Sequence, residues 1–302
     1  MSFRGTKFNQ IPTSNQFNPP QTQFGQQQQQ PKKNWKQQFE QLSGKVEEAL
    51  DHPVLKIVQP YIPQIGGFLI VATFFEDSIR ILSQWSDQVF YLWNYRHIPY
   101  YLVIVLLVLC VVTMLAASTL IVLKKHQLYA SAALIAIVLV QGLMYGLFIA
   151  PNFILRNVSL VGGLLIALSD TLVKEKMRFA GLPDIHSNNA YKGYVLLAGR
   201  LMLVFMFFSF AATKSWPTTI ITFIGIVSIA AGYKTKFASV ILITILTFYN
   251  FTQNPYWSAT SDSKRDFLRY EFFQTLSIIG GLLLVVNTGA GELSIDEKKK
   301  IY

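Results

Sequence analysis

Two stretches of this chain, Tyr101 to Leu123 and Leu128 to Ala150, contain no charged residue. Each exceeds the roughly 20 apolar residues that an α-helix needs to cross the hydrocarbon of a bilayer. A helix also satisfies its own backbone hydrogen bonds, which lipid cannot do for it. Comparable apolar runs recur to the end of the chain. They place spans near 64–83, 99–123, 128–150, 153–173, 194–214, 217–233, 236–252 and 271–288, about eight in all. The first is interrupted by Glu76, Asp77 and Arg80, and the sixth and seventh are short. Charged residues make up only 14% of the chain, against roughly 25% in ordinary soluble domains. The predicted class is therefore all-α, a polytopic membrane helical bundle.

The region before the spans has a different character. Residues 1–31 are rich in Gln, Asn and Pro, lack the apolar core of a cleavable signal, and are expected to be a disordered cytosolic tail. In 32–60, Trp35, Phe39, Leu42, Val46 and Leu50 recur at spacings of three and four, which predicts a cytosolic amphipathic helix. Lipid surface and the protein's own cytosolic face are both open as its docking site.

Lysines and arginines set the orientation. Lys124 and Lys125, then Lys174, Lys176, Arg178 and Lys192, then Lys234 and Lys236 fall in alternate loops, on the side that also holds Lys32, Lys33 and Lys298 to Lys300. This bias predicts both termini in the cytosol. The net charge of +10 comes largely from residues at the ends of apolar runs, so membrane lipid is expected as the partner and nucleic acid is not.

The spans also look duplicated. Leu160-Val161-Gly162-Gly163 corresponds to Ile278-Ile279-Gly280-Gly281, with Ser159 and Ser277 just before each; Ala130-Ser131 corresponds to Ala238-Ser239. An even number of helices per unit makes these two parallel four-helix repeats, 61–193 and 194–290, followed by a cytosolic tail, 291–302. Paired glycines allow helices to approach closely.

A charge at the centre of a span costs about 2.5–3.5 kcal/mol, so Glu76, Asp77 and Arg80 must face the protein interior or a polar cavity. Arg200, in the fifth span, is the expected positive partner of Glu76 or Asp77 across the repeats. Asp170 and Lys214 lie near span ends, where interfacial water is within reach. Trp85, Tyr91, Trp93, Tyr256 and Trp257 border the same end, either as an interfacial girdle or as the rim of a cleft. The long lumenal segment from Gln253 to Tyr270 is read as a loop. No G-x-S-x-G, H-E-x-x-H or Walker pattern is present. Cys110 stands alone, and His52, His97, His126 and His186 are scattered outside the spans. No enzyme activity, cofactor or metal site is expected. Lys299 and Lys300, third and fourth from the carboxyl terminus, match a dilysine retrieval signal read by a vesicle coat.

Several long blocks resemble the surfeit-locus-4 family. They are Phe74 to Gln88, Gly232 to Ser239, Lys264 to Phe272 and Asn287 to Tyr302. The resemblance runs from about Pro53 to the end; the wider DoxX-like superfamily shares the four-span unit. It implies a cargo receptor that binds soluble secretory proteins in the ER lumen, enters COPII vesicles, and returns from the Golgi through COPI by the dilysine tail. Cargo proteins, the COPII and COPI coats and membrane lipids would be the partners; whether it forms a homo-oligomer is left open. On this reading Glu76, Asp77, Arg80 and Arg200, with Trp85, Tyr256 and Trp257, form the cargo-binding cleft. A transporter or a scramblase-like lipid-handling protein of the early secretory pathway is the alternative, because intramembrane charges and tandem repeats suit those too.

Overall fold

The structure, a computed structural model, describes residues 35–50, 59–149, 151–179, 189–212, 214–289, 291 and 293–296. Every regular element among them is helical. Helix α1 (Trp35–Leu50) occupies the predicted amphipathic stretch. The bundle then runs through α2 (Ile62–Ser83), a short α3 (Trp85–Phe90), α4 (Tyr100–Val122), α5 (Gln127–Tyr145), α6 (Pro151–Phe179), α7 (Asn189–Leu203), α8 (Phe205–Ala212), α9 (Trp216–Ala231), α10 (Thr235–Gln253) and α11 (Asp262–Thr288). A helix thus stands at each of the eight predicted spans, α7 and α8 together forming the fifth. Among the described residues, five segments are long and apolar enough to cross a membrane; 153–169 and 216–231 are shorter apolar helices. The chain is a polytopic all-α membrane bundle.

The last helix departs most from expectation. It begins at Asp262 rather than 271, so the expected loop from Gln253 to Tyr270 shrinks to a few residues around a 3₁₀ turn at Tyr256–Ser258. The Ser261 side chain accepts from the Lys264 N–H at this N-terminus, and Asp262 sits in the first turn, where a negative charge suits the helix dipole. The charges between 262 and 271 lower the local hydropathy without breaking the helix.

Glycines set how the helices meet. A Cβ on Gly66 would lie 3.2 Å from the Gly280 carbonyl oxygen, and one on Gly280 would lie 2.8 Å from that of Gly66. Gly162 and Gly199 face each other in the same way, at 2.7 and 3.0 Å. Between these two crossings a Cβ on Gly281 would come within 3.3 Å of the Gly163 Cα. Helices α2 and α11 therefore cross as α7 and α6 do, with α6 against α11 in the middle.

Ser159 explains a break in the second half. The helix is interrupted at Val204, between α7 and α8. The Ser159 hydroxyl donates to the Met202 carbonyl (3.1 Å) and accepts from the Met206 N–H (2.7 Å), supplying partners at the interruption. Ser159 is itself fully buried.

At the end of the bundle holding the α4–α5 and α9–α10 turns, the tail folds back. Asp296 accepts from the backbone N–H of Lys234 (2.8 Å) and Thr235 (3.2 Å), capping α10, and its own N–H donates to the Gly232 carbonyl at 3.0 Å. Two donors at a helix start that lack an intrahelical acceptor are satisfied this way.

Candidate functional site

At the opposite end a cavity of about 310 Å³ opens between α2, α5, α6 and α11. Each helix contributes residues at three- and four-residue intervals, the spacing that keeps side chains on one face. Helix α2 gives Thr73, Asp77 and Arg80, with Gln84 at its C-cap; α5 gives Gln141 and Tyr145; α11 gives Asp266, Tyr270 and Gln274. Phe74, Leu160 and Phe267 supply apolar walls, and Tyr91 reaches in from the turn after α3.

The polar lining is linked by hydrogen bonds. Arg80 Nη2 donates to Asp77 Oδ1 at 2.5 Å, and Gln84 Nε2 donates to Asp266 Oδ2 at 2.5 Å, joining α2 to α11. The Tyr145 hydroxyl donates to Gln88 Oε1 at 2.7 Å, and its ring stacks on Tyr91 with centroids 6.1 Å apart. The Gln274 amide donates to the Tyr270 hydroxyl at 2.8 Å, while Gln274 Oε1 is buried without a hydrogen-bond partner among the described residues.

Of the residues singled out in the sequence, Asp77 and Arg80 line this cavity. Glu76 lies behind it, its side chain 1% exposed and 3.3 Å from Arg269 Nε, with Arg80 Nε at 4.0 Å. The expected pairing of Glu76 or Asp77 with Arg200 is therefore corrected: Arg269 is the cross-helix partner of Glu76. Arg200 sits fully buried toward the tail end, donating to the Ile229 carbonyl (3.4 Å) and the Leu293 carbonyl (3.2 Å). Trp85 is half-buried against the core. Tyr256 and Trp257 pack edge-to-face with Phe272, at 5.4 and 6.0 Å. Tyr91 is the one member of the predicted aromatic set among the residues lining the cavity. Lys299 and Lys300 lie outside the described residues.

Sequence reading missed Asp266, Arg269, Tyr145, Tyr270 and Gln274. Their signal was the periodicity of Asp266, Tyr270 and Gln274, four residues apart, concealed by the assignment of 253–270 to a loop.

The family model described as the SURF4 family matches residues 40–302. The chain belongs to this family. Among relatives, it is 52% identical over 271 residues to the ER-derived vesicles protein ERV29 of Saccharomyces cerevisiae, covering 89% of this chain and 87% of that one. It is 46% identical to the Surfeit locus protein 4 homolog of Schizosaccharomyces pombe, covering 80% of this chain and 83% of that one. The homolog of that protein in Drosophila melanogaster is 34% identical, with 82% and 93% covered. No solved structure matches. The SURF4 blocks seen in the sequence coincide with the site: Phe74 to Gln88 and Lys264 to Phe272 supply the facing strips of α2 and α11.

Proposed function

We propose that this SURF4-family protein is a cargo receptor of the early secretory pathway. It binds soluble secretory proteins in the ER lumen, carries them into COPII vesicles, and returns by COPI through Lys299 and Lys300. The observation that carries the reading is the cavity itself, which pairs carboxylates at Asp77 and Asp266 with apolar walls. An extended peptide terminus needs both: an anion for its free amine, and surface for apolar side chains. The likeness to a protein of ER-derived vesicles supports the compartment. With both termini cytosolic, the cavity opens on the lumen, because it lies at the end of the bundle away from the docked tail.

The first test is site-directed crosslinking of a secretory cargo in ER-derived vesicles. Asp77→Asn with Asp266→Asn is expected to cut cargo capture about tenfold or more, on the scale of losing one buried charge pair, with receptor packaging unchanged. Undiminished capture would remove the cavity from cargo binding; a cargo-independent flux of lipid or solute through purified receptor would favour the transport reading.

The second test concerns the tail. Asp296 is docked on the bundle, and only Glu297 and Lys298 separate it from Lys299. Lys299→Ser with Lys300→Ser is expected to shift most of the protein to the Golgi or beyond, with its amount and detergent stability unchanged. Continued residence in the ER, read by fractionation, would assign retrieval to another signal.

A further inference from the structure

A second cavity of about 420 Å³ lies at the same end of the bundle, between α6, α8, α10 and α11. It corresponds to the first in register. Counted from the paired glycines, Met206 stands where Thr73 does and Thr275 where Asn157 does. Counted from Ser131 and Ser239, Tyr249 stands where Gln141 does. Phe153 and Phe267 line both cavities, so the two share an apolar wall.

The charges, however, are reversed. The first cavity is lined by Asp77 and Asp266 against Arg80, an excess of one anion. The second is lined by Arg156 and Lys214 against Glu271, an excess of one cation. Arg156 Nη1 and Glu271 Oε1 are 2.5 Å apart, their side chains 16% and 17% exposed, and this pair neutralises itself. Lys214 is left over. Its ammonium donates to Gln253 Oε1 and lies 4.9 Å from the Phe210 ring centroid and 4.8 Å from that of Tyr249, all neutral partners. Such a cation is only partly hydrated and is held in position by rings and an amide. A carboxylate entering the cavity would meet it at low desolvation cost.

We propose that this second cavity is an anion subsite that takes an acidic side chain of the same peptide whose amino terminus occupies the first. The inference rests on the cargo-receptor reading. The shared wall at Phe153 and Phe267 favours one peptide over two ligands, since apolar residues crossing it leave both ends in reach of opposite charges. Asn250, Gln253 and Asn254 offer the amide donors and acceptors that an extended backbone needs.

The test uses the full chain in nanodiscs and fluorescent peptides with a free amine, an apolar stretch, and one glutamate moved through successive positions. Binding is compared with glutamine counterparts. Wild type is expected to prefer glutamate at one position by about tenfold. Lys214→Met should abolish that preference, and Lys214→Arg should retain it. Lack of preference at every position, or a preference surviving Lys214→Met, overturns the proposal. So does a Lys214-dependent binding of short-chain phosphatidylglycerol without any effect on peptides, which would assign the cavity to a lipid phosphate. Acetylating the peptide amine separates the two readings. Insensitivity to acetylation with an intact glutamate preference refutes the first cavity's role alone; absence of any peptide binding refutes both.

Discussion

Gly162→Ala is expected to destabilise the bundle by about 3 kcal/mol, at the upper end of overpacking costs, while Gly163→Ala is expected to be nearly silent. The difference lies in what each methyl would meet. A Cβ on Gly162 would lie 2.5 Å from the Leu203 nitrogen, 2.7 Å from the Gly199 oxygen and 2.9 Å from the Met202 carbonyl carbon. All three are backbone atoms, so relief requires α6 and α7 to move apart. A Cβ on Gly163 would find its nearest neighbour, Ile70 Cγ1, at 3.7 Å, an ordinary contact. Separation at the first position would also pull Ser159 from Met202 and Met206, leaving the α7–α8 break without its hydroxyl bridge. Thermal unfolding in detergent should show Gly162→Ala lower in Tm by roughly 6–12 °C. Equal Tm values for the two variants would mean that the crossing is looser than these distances require. Gly280→Ala is the companion test at the other crossing, where Gly66 O and Ile70 N would each lie 2.8 Å from the new methyl.

The span positions were legible because lipid imposes one requirement, about 20 apolar residues, that a composition window detects. The glycine pairs were legible as a repeated local pattern, though Gly66 and Gly199 opposite them were seen only in the structure. Pairing of charges was not. A buried carboxylate requires a cation, but which one depends on the rotation of helices far apart in sequence. Glu76 thus found Arg269 on α11, although Arg200, in the fifth span, was the expected partner. The start of α11 was hidden for a related reason. Asp266 and Arg269 face protein rather than lipid, so a scale calibrated on lipid-facing helices read a helical segment as a loop. Lys214 was assigned to interfacial water by its place at a span end. What sequence position could not show was the ring pair of Phe210 and Tyr249 that holds it beside a cavity.

Arg200→Met is expected to release the docked tail while the rest of the bundle stays folded. Arg200 is 0% exposed, and its guanidinium joins the end of α9, through the Ile229 carbonyl, to the Leu293 carbonyl of the tail. Methionine retains much of the packing volume but donates nothing, so the carbonyl of buried Ile229 and that of the more exposed Leu293 each lose a donor, at a cost of about 1–3 kcal/mol. The adjoining contacts depend on the same docking. Ser294 is 4% exposed and packs on Gly232, and Asp296 caps α10. Opening of this segment can be read from a Ser294→Cys variant with the native Cys110 changed to alanine, by its rate of labelling with a maleimide. Arg200→Met should accelerate labelling about tenfold or more, since local opening free energy translates directly into accessible population. Arg200→Lys, which keeps the charge but loses the planar fork, should fall between. Asp296→Ala should accelerate labelling too, by removing the cap without disturbing the interior. Unchanged labelling in Arg200→Met would show that Asp296 and Ser294 hold the tail unaided. Under the retrieval role proposed for Lys299 and Lys300, a released tail would also present its lysines at a variable distance from the membrane. The same variant is then expected to lose part of its ER retention even though both lysines are intact.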